Sequence, residues 1–134
     1  MPQPSFLAAS LYVSLGGAFG SWLRFLVGRG WTAALGPVRS GLFPYGTLTV
    51  NVAGSLAMGL LTGWLARSGT HEATRLLIAV GVLGGFTTFS SFSLDFAMLV
   101  ERGEIGTAAL YTGLSLLAGF ASLFLGLFVM RSAA

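Results

Sequence analysis

The chain has 134 residues, of which 54% are hydrophobic and only 8% are charged, and its mean hydropathy is +0.84. Soluble domains carry about 25% charged residues, so this composition excludes a single water-soluble core and predicts an all-α membrane protein. The absence of cysteine excludes disulfide bonds and thiolate metal sites. The net charge of +3 comes from seven scattered arginines, which argues against nucleic-acid binding.

Four apolar segments are long enough to cross a bilayer as helices, which takes roughly 20 residues each. The predicted spans cover about 6–28, 45–66, 73–100 and 105–130 of a single domain, residues 1–134. The turn-rich sequence GRGWTAALGPVRSGLFP is predicted to connect the first two spans, and the polar sequences RSGTHE and ERGE connect the others. No long loop is left for a soluble domain, so we expect any function to lie within the membrane.

The arginines beside the spans give almost no orientation bias. With four spans, one side of the membrane holds Arg67, Arg75 and Arg131, and the other holds Arg24, Arg29, Arg39 and Arg102. Since arginine-rich flanks favour the cytoplasmic side, three against four leaves two interpretations open. Either another feature determines one topology, or the chain inserts both ways and forms an antiparallel homodimer.

Small residues recur every four positions in three of the spans. The rows are Gly16 and Gly20, then Ser55, Gly59 and Gly63, and finally Ala118, Ser122 and Gly126. Such rows let helices approach closely, so they predict helix packing and not a functional site.

The sequence GGFTTFSSFS, residues 84–93, stands inside the third apolar segment and predicts an interruption of its helix. A continuous α-helix over residues 73–100 would measure about 42 Å, whereas the hydrocarbon core is about 30 Å thick. Adjacent glycines followed by hydroxyl side chains favour a helix broken at about 84–88, near the middle of the membrane. A simple glycine kink is the alternative. Carbonyls freed by a break can coordinate a cation such as Na⁺.

Uncharged polar residues recur inside the spans, where lipid offers no hydrogen-bond partner. For Asn51, an interhelical hydrogen bond and a functional role are equally good explanations. The other candidate donors are hydroxyl groups, namely Thr88, Ser90, Ser91, Tyr111 and Ser115. Phe89 and Phe92 lie on one helical side, and the edge of an aromatic ring carries the positive part of its quadrupole. Neutral donors and ring edges suit a small hard anion, although phenylalanine in a membrane helix more often packs or faces lipid.

Three motifs resemble the fluoride channel family known as Fluc or CrcB, and the resemblance covers essentially the whole chain. They are GAFGSWLRFLVG, GTLTVNVAGSLAMG and GGFTTFSSFS, which begin at residues 17, 46 and 84. The resemblance implies a passive, fluoride-selective channel that exports fluoride from the cytoplasm and so limits its toxicity. It also implies an antiparallel, dual-topology homodimer with two pores, located as a multi-pass protein in the inner (plasma) membrane.

The resemblance implies roles for individual residues as well. Phe89 and Phe92 match paired phenylalanines whose ring edges face permeating fluoride. The other residues implied along the pore are Asn51, Thr88, Ser90, Ser91 and, approximately in register, Tyr111 and Ser115. Arg24 matches an arginine near the pore vestibule, and the family usually carries glutamate where this chain has Asp95. Gly84 and Thr87 match the break whose backbone carbonyls hold a central structural Na⁺ shared by both subunits.

Two other functions stay open. A small four-span exporter of cationic drugs would normally need a buried carboxylate, and no acidic residue is predicted near mid-membrane. A membrane subunit that assembles with a larger partner would conduct no ions by itself. An enzyme is not expected, because no nucleophile–base pair or metal cluster can be assembled from these residues.

Overall fold

A computed structural model describes residues 3–69 and 72–132, and all the secondary structure in these two ranges is helical. Helix α1 is Phe6–Leu42, α2 is Tyr45–Ser68 and α6 is Ile105–Ser132. Between α2 and α6 the chain forms α3 (Glu72–Thr74), a π-helix (Arg75–Leu83), α4 (Gly84–Phe86) and α5 (Phe89–Glu101). The stretches Phe6–Leu42, Tyr45–Ser68, Glu72–Glu101 and Ile105–Ser132 are long and apolar enough to cross a membrane. The prediction of an all-helical chain with four candidate spans is confirmed, and residues 70–71 of the second connector lie outside the described ranges.

Helix α1 continues well beyond residue 28, where the first predicted span ends. Its N-terminus is capped by Ser5, whose Oγ accepts a hydrogen bond from Ala8 N at 3.3 Å. The helix is interrupted at Gly36, which has φ 78° and ψ 161°, and Pro37 then begins a last helical segment that ends at Leu42. The prediction of a turn-rich connector over residues 28–44 is therefore wrong for most of its length. Isolated glycines cost a helix only about 1 kcal/mol each, and proline fits the first turn of a new helical segment.

Glycines bring α1 against the π-helix and α4 without any intervening side chain. A Cβ atom added to Gly20 would overlap the carbonyl oxygen of Val82, and one added to Gly85 would lie 2.5 Å from the carbonyl oxygen of Gly17. Between α2 and α6, a Cβ on Gly126 would lie 2.5 Å from the carbonyl oxygen of Leu56. These backbone contacts confirm that the rows of small residues serve close helix packing.

Helical conformation is interrupted between α4 and α5 at two threonines. Thr87 has φ −85° and ψ 159°, and Thr88 has φ −155° and ψ 124°, so both are extended. Gly84, by contrast, is helical at φ −63° and ψ −38°. Both extended residues lie in the stretch 84–88 that the sequence singles out, and they are its threonines and not its adjacent glycines. Gly85 is needed for the close contact with α1, and hydroxyl side chains shape the interruption.

A buried cluster joins α5 to α6 beside this interruption. Leu99, Ala108 and Tyr111 are almost completely buried, and Phe43, Leu48 and Phe92 pack against them. The turn between the two helices uses Gly103 at φ 77°, a left-handed conformation that glycine adopts without strain. The cluster places Tyr111 of α6 next to the first turns of α5, and thus next to the candidate site.

Candidate functional site

The side-chain amide of Asn51 pairs with both backbone groups of Thr88. Asn51 Nδ2 donates to Thr88 O at 3.0 Å, and Thr88 N donates to Asn51 Oδ1 at 2.8 Å. An extended residue between two helices has no helical partners, and unpaired backbone groups are costly in an apolar environment. Asn51 therefore forms the interhelical hydrogen bond that was one of the two explanations of its position. One Nδ2 proton is left over from these two bonds.

Hydrogen bonds at Thr88 deprive two backbone carbonyls of their usual α-helical donors. In an uninterrupted α-helix the N–H of residue 88 would donate to the carbonyl of Gly84, but it donates to Asn51. The N–H of Ser91 would similarly serve the carbonyl of Thr87, but it donates to Thr88 Oγ1 at 3.1 Å. The carbonyls of Gly84 and Thr87, implicated by resemblance in cation binding, have thus both lost their α-helical donors. Within residues 3–69 and 72–132, no cluster of three or more acidic or histidine side chains could hold a metal.

The hydroxyl of Thr88, a residue only 9% exposed, links the two serines of the first turn of α5. Thr88 Oγ1 donates to Ser91 Oγ at 3.1 Å and lies 3.2 Å from Ser90 Oγ. A hydroxyl has one proton, so Ser90 must be the donor in the second bond. The hydroxyl proton of Ser90 is therefore donated to Thr88 Oγ1, whereas the hydroxyl proton of Ser91 is not donated within this group of three hydroxyls. Ser90 is exposed and Ser91 is half-buried.

Six aromatic rings form a continuous series that begins in this turn. Phe89 and Phe92 have centroids 5.7 Å apart, and Phe92 lies 5.2 Å from Tyr111. The series continues from Tyr111 to Phe43 at 5.7 Å, from Phe43 to Tyr45 at 4.9 Å, and from Tyr45 to Trp31 at 5.1 Å. Phe89 is 77% exposed on the single chain, whereas Tyr111 is completely buried. The predicted pair of phenylalanines is thus the exposed end of a longer aromatic row.

Two cavities meet at Asp95. The larger, of about 270 Å³, extends from Arg24 and Thr47 to Thr88, Ser91 and Asp95. The smaller, of about 200 Å³, is lined by Phe43, Asp95, Arg102 and their neighbours, and the two cavities share Ser40, Pro44 and Asp95 as wall residues. Asp95 Oδ2 accepts a hydrogen bond from the hydroxyl of Tyr111 at 3.2 Å. The larger cavity therefore connects the predicted vestibule arginine with the hydroxyl groups of the interruption.

Ser115 differs from the other predicted donors. Its Oγ atom is buried and has no hydrogen-bond partner among the described residues. Ser115 follows Tyr111 by four positions, so it lies one turn further along the same side of α6. A buried hydroxyl without a partner is rare in a native structure and requires an explanation.

The structure therefore gathers most of the predicted site and adds residues to it. The predicted residues joined by hydrogen bonds or ring contacts are Asn51, Thr88, Phe89, Ser90, Ser91, Phe92 and Tyr111. Phe43 and Trp31, and the bond from Tyr111 to Asp95, were not predicted. Both rings belong to the segment that was interpreted as a connector. The only sequence signal for their role was the occurrence of large aromatic residues in a glycine-rich segment.

The sequence profile of the family described as "CrcB-like protein, Camphor Resistance (CrcB)" matches residues 11–127. The chain is 56% identical over 128 residues to the fluoride-specific ion channel FluC of Novosphingobium aromaticivorans, which covers 96% of this chain and 100% of that relative. It is 49% identical over 123 residues to the protein of the same name from Caulobacter vibrioides strain NA1000, covering 90% and 94% of the two chains. The Sphingopyxis alaskensis protein of that name is 51% identical over 120 residues, covering 89% and 92%.

These matches confirm the resemblance inferred from the three motifs, since they extend over nearly the whole chain and not over the motifs alone. Together with the four apolar helices they identify a multi-pass membrane protein. The chain belongs to the CrcB family.

Proposed function

We propose that the protein is a fluoride-selective ion channel, and not an enzyme, that exports fluoride from the cytoplasm by passive conduction and so lowers its toxicity. The relatives described above carry the name fluoride-specific ion channel at identities of up to 56%. Fluoride is strongly hydrated, so a pore must replace its water with hydrogen-bond donors and still release the ion. Uncharged hydroxyl groups and ring edges meet both conditions.

The observation that carries the proposal is the buried, unpartnered hydroxyl of Ser115, one helical turn after Tyr111 of the aromatic row. Ser91 supplies a second hydroxyl proton that is not used in the fold, on the wall of the cavity that reaches Arg24. The ring edges of Phe89 and Phe92 and the remaining proton of Asn51 complete a set of neutral donors. Arg24 would attract anions into this cavity through its local field.

We further propose that two antiparallel copies complete the pores at their interface, in the inner membrane, with the interruption at Thr87 and Thr88 near mid-membrane. Phe89 is 77% exposed on the single chain, so it is available to line a path shared with a second copy. The almost equal numbers of arginines on the two sides of the membrane suit insertion in both orientations. Both arguments support a homodimer of dual topology.

The freed carbonyls of Gly84 and Thr87 fit a structural Na⁺ at the centre of the dimer. Hard cations prefer oxygen ligands, and unwound backbone carbonyls in membrane helices coordinate Na⁺. The ion would offset repulsion between carbonyls and favour anions nearby. Asn51 and Thr88 maintain these carbonyls in an accessible state because they bind the amides that would otherwise occupy them.

Flux from liposomes tests the proposal. Purified protein in vesicles loaded with both fluoride and chloride should release fluoride, measured with a fluoride electrode, while a chloride electrode records no release. No fluoride release would contradict a channel and support a subunit that needs a larger partner. Release of a cationic drug under a proton gradient would instead support the exporter.

The sodium site is tested by replacing all Na⁺ with N-methyl-D-glucamine during purification and assay. We expect a large loss of fluoride flux that returns when Na⁺ is added back. Equal flux in both solutions would remove Na⁺ from the proposal and leave the channel itself standing.

A further inference from the structure

Arg102, at the C-terminal end of α5, holds the end of α1 in place. Its Nη1 atom donates to the carbonyl oxygen of Gly41 at 2.9 Å. Its Nε atom lies 3.7 Å from Glu104 Oε1 in a partly exposed ion pair. The carbonyl of Gly41 belongs to the last turn of α1, where helical carbonyls have no intrahelical donor. Arg102 satisfies one of these carbonyls from another span.

The end of α1 is a separate short segment that needs such a contact. Gly36 is non-helical at one end of it, and Phe43, with φ −145° and ψ 140°, is extended at the other. Residues 37–42 therefore form a helical segment with a change of direction on each side. The bond from Arg102 is a direct polar link between this segment and α5.

This segment also determines where the ring of Phe43 lies. Gly41 is two residues before Phe43, whose ring meets Tyr111 edge-on, with 83° between the ring planes and 5.7 Å between the centroids. Tyr111 in turn contacts Phe92 at 5.2 Å and donates to Asp95. A displacement of Gly41 would therefore be transmitted through Phe43 to Tyr111 and Phe92.

We propose that Arg102 is a positioning residue for conduction: by binding the carbonyl of Gly41 it keeps Phe43 against Tyr111, and so keeps Tyr111 and Phe92 in their conducting arrangement. The inference rests on the proposed function, because it assigns Phe92 and Tyr111 to the fluoride path. Arg102 itself does not touch the ion. What it contributes is a donated hydrogen bond and not its positive charge.

Two substitutions separate the hydrogen bond from the charge. Arg102→Gln and Arg102→Met both remove the charge and have side chains of similar length, but only glutamine keeps an N–H donor. We expect fluoride flux in liposomes to fall roughly three- to tenfold in the methionine variant, the range that corresponds to losing one hydrogen bond of ordinary net strength. The glutamine variant should stay within about twofold of the original protein. Two variants are the matched controls. Arg39→Gln removes an exposed arginine from the same segment, and Glu104→Gln removes the ion pair alone. Neither should change the fluoride flux.

A second measurement reports the segment itself and does not depend on conduction. The chain has no cysteine, so Ser40→Cys places a single thiol beside Gly41, on the wall shared by the two cavities. Its rate of modification by a water-soluble methanethiosulfonate should rise at least threefold when Arg102→Met is added, and should not change with Arg102→Gln. Equal flux loss in both Arg102 variants with unchanged labelling would overturn the inference in favour of simple attraction of anions. Unchanged flux in the methionine variant would also overturn the inference. Absence of fluoride flux in the original protein would contradict the proposed function, and the labelling rate would then test by itself whether Arg102 holds the end of α1.

Discussion

Replacing Asn51 with alanine would remove the side chain that holds the interruption of the third span together. The substitution deletes the donor to Thr88 O and the acceptor for Thr88 N at once, at 3.0 and 2.8 Å. Both are backbone groups, and Thr88 is 9% exposed. We therefore expect Asn51→Ala to destabilise the protein and to abolish fluoride flux, although alanine introduces no charge and no bulk.

The magnitude follows from the fate of the two backbone groups. If Thr88 finds new partners, two hydrogen bonds of average strength in a membrane are lost, at about 0.6 kcal/mol each. If both groups stay unsatisfied, each costs about 1–3 kcal/mol, so the loss reaches roughly 2–6 kcal/mol. The free energy of unfolding should therefore fall by about 1–6 kcal/mol.

The assay combines unfolding in mixed micelles, titrated with sodium dodecyl sulfate, with fluoride release from liposomes. Thr62→Ala is the matched control, because Thr62 is an exposed hydroxyl residue on the same helix. Asn51→Asp keeps an acceptor for Thr88 N but cannot donate when it is ionised, and its charge should repel fluoride. An Asn51→Ala variant that matches Thr62→Ala in both stability and flux would refute the role of Asn51 in holding the interruption.

Three further predictions concern single side chains. Phe92→Ile removes the ring edge and a contact with Tyr111 worth about 0.5–1.5 kcal/mol. It should lower fluoride flux roughly tenfold or more in the electrode assay, while size exclusion shows the same assembly as the original protein. Unchanged flux would exclude the ring edge from conduction. Ser115→Ala should lower fluoride flux and leave the free energy of unfolding within about 0.5 kcal/mol of the original value, because its Oγ has no hydrogen-bond partner to lose. A loss of stability with normal flux would indicate that Ser115 serves packing alone. Gly20→Ala should destabilise the protein by about 1–3 kcal/mol in the unfolding titration, because its Cβ would overlap Val82 O. Gly17→Ala, with no atom within 4 Å of the new Cβ, should not destabilise the protein and should gain up to about 1 kcal/mol from the higher helix propensity of alanine.

Much of the fold could be predicted because a bilayer demands long apolar helices. Hydropathy located all four candidate spans, and the rows of small residues located real backbone contacts. The continuation of α1 to Leu42 could not be predicted from composition. Glycine and proline there resemble a connector, and only the Gly36 interruption lets Pro37 begin a new helical segment. The π-helix was also missed, because RLLIAVGVL is as apolar as any α-helical span.

The site was predictable where its residues share one motif and not where they come from distant segments. Local spacing places Phe89, Phe92 and the serines together at the start of α5, and their roles in a pore come from the family resemblance. The ring of Phe43 and the guanidinium of Arg102 act on the site from residues far apart in sequence, and their positions depend on how the ends of α1 and α5 meet. The periodicity of residues within one helix does not indicate how the ends of two different helices pack together.

The way hydrogen bonds are distributed at the interruption decides which donors can serve an ion. A group whose proton already holds the fold cannot also replace the water around fluoride without breaking that contact. The protons of Ser90 and Thr88 are used within the first turn of α5, and one amide proton of Asn51 is used on Thr88 O. Ser91 and Ser115 retain theirs, so we expect them to supply the hydroxyl donors, while Thr88 and Asn51 give the interruption its shape. A pore built in this way can bind an anion and release it, because binding costs the protein no hydrogen bond of its own.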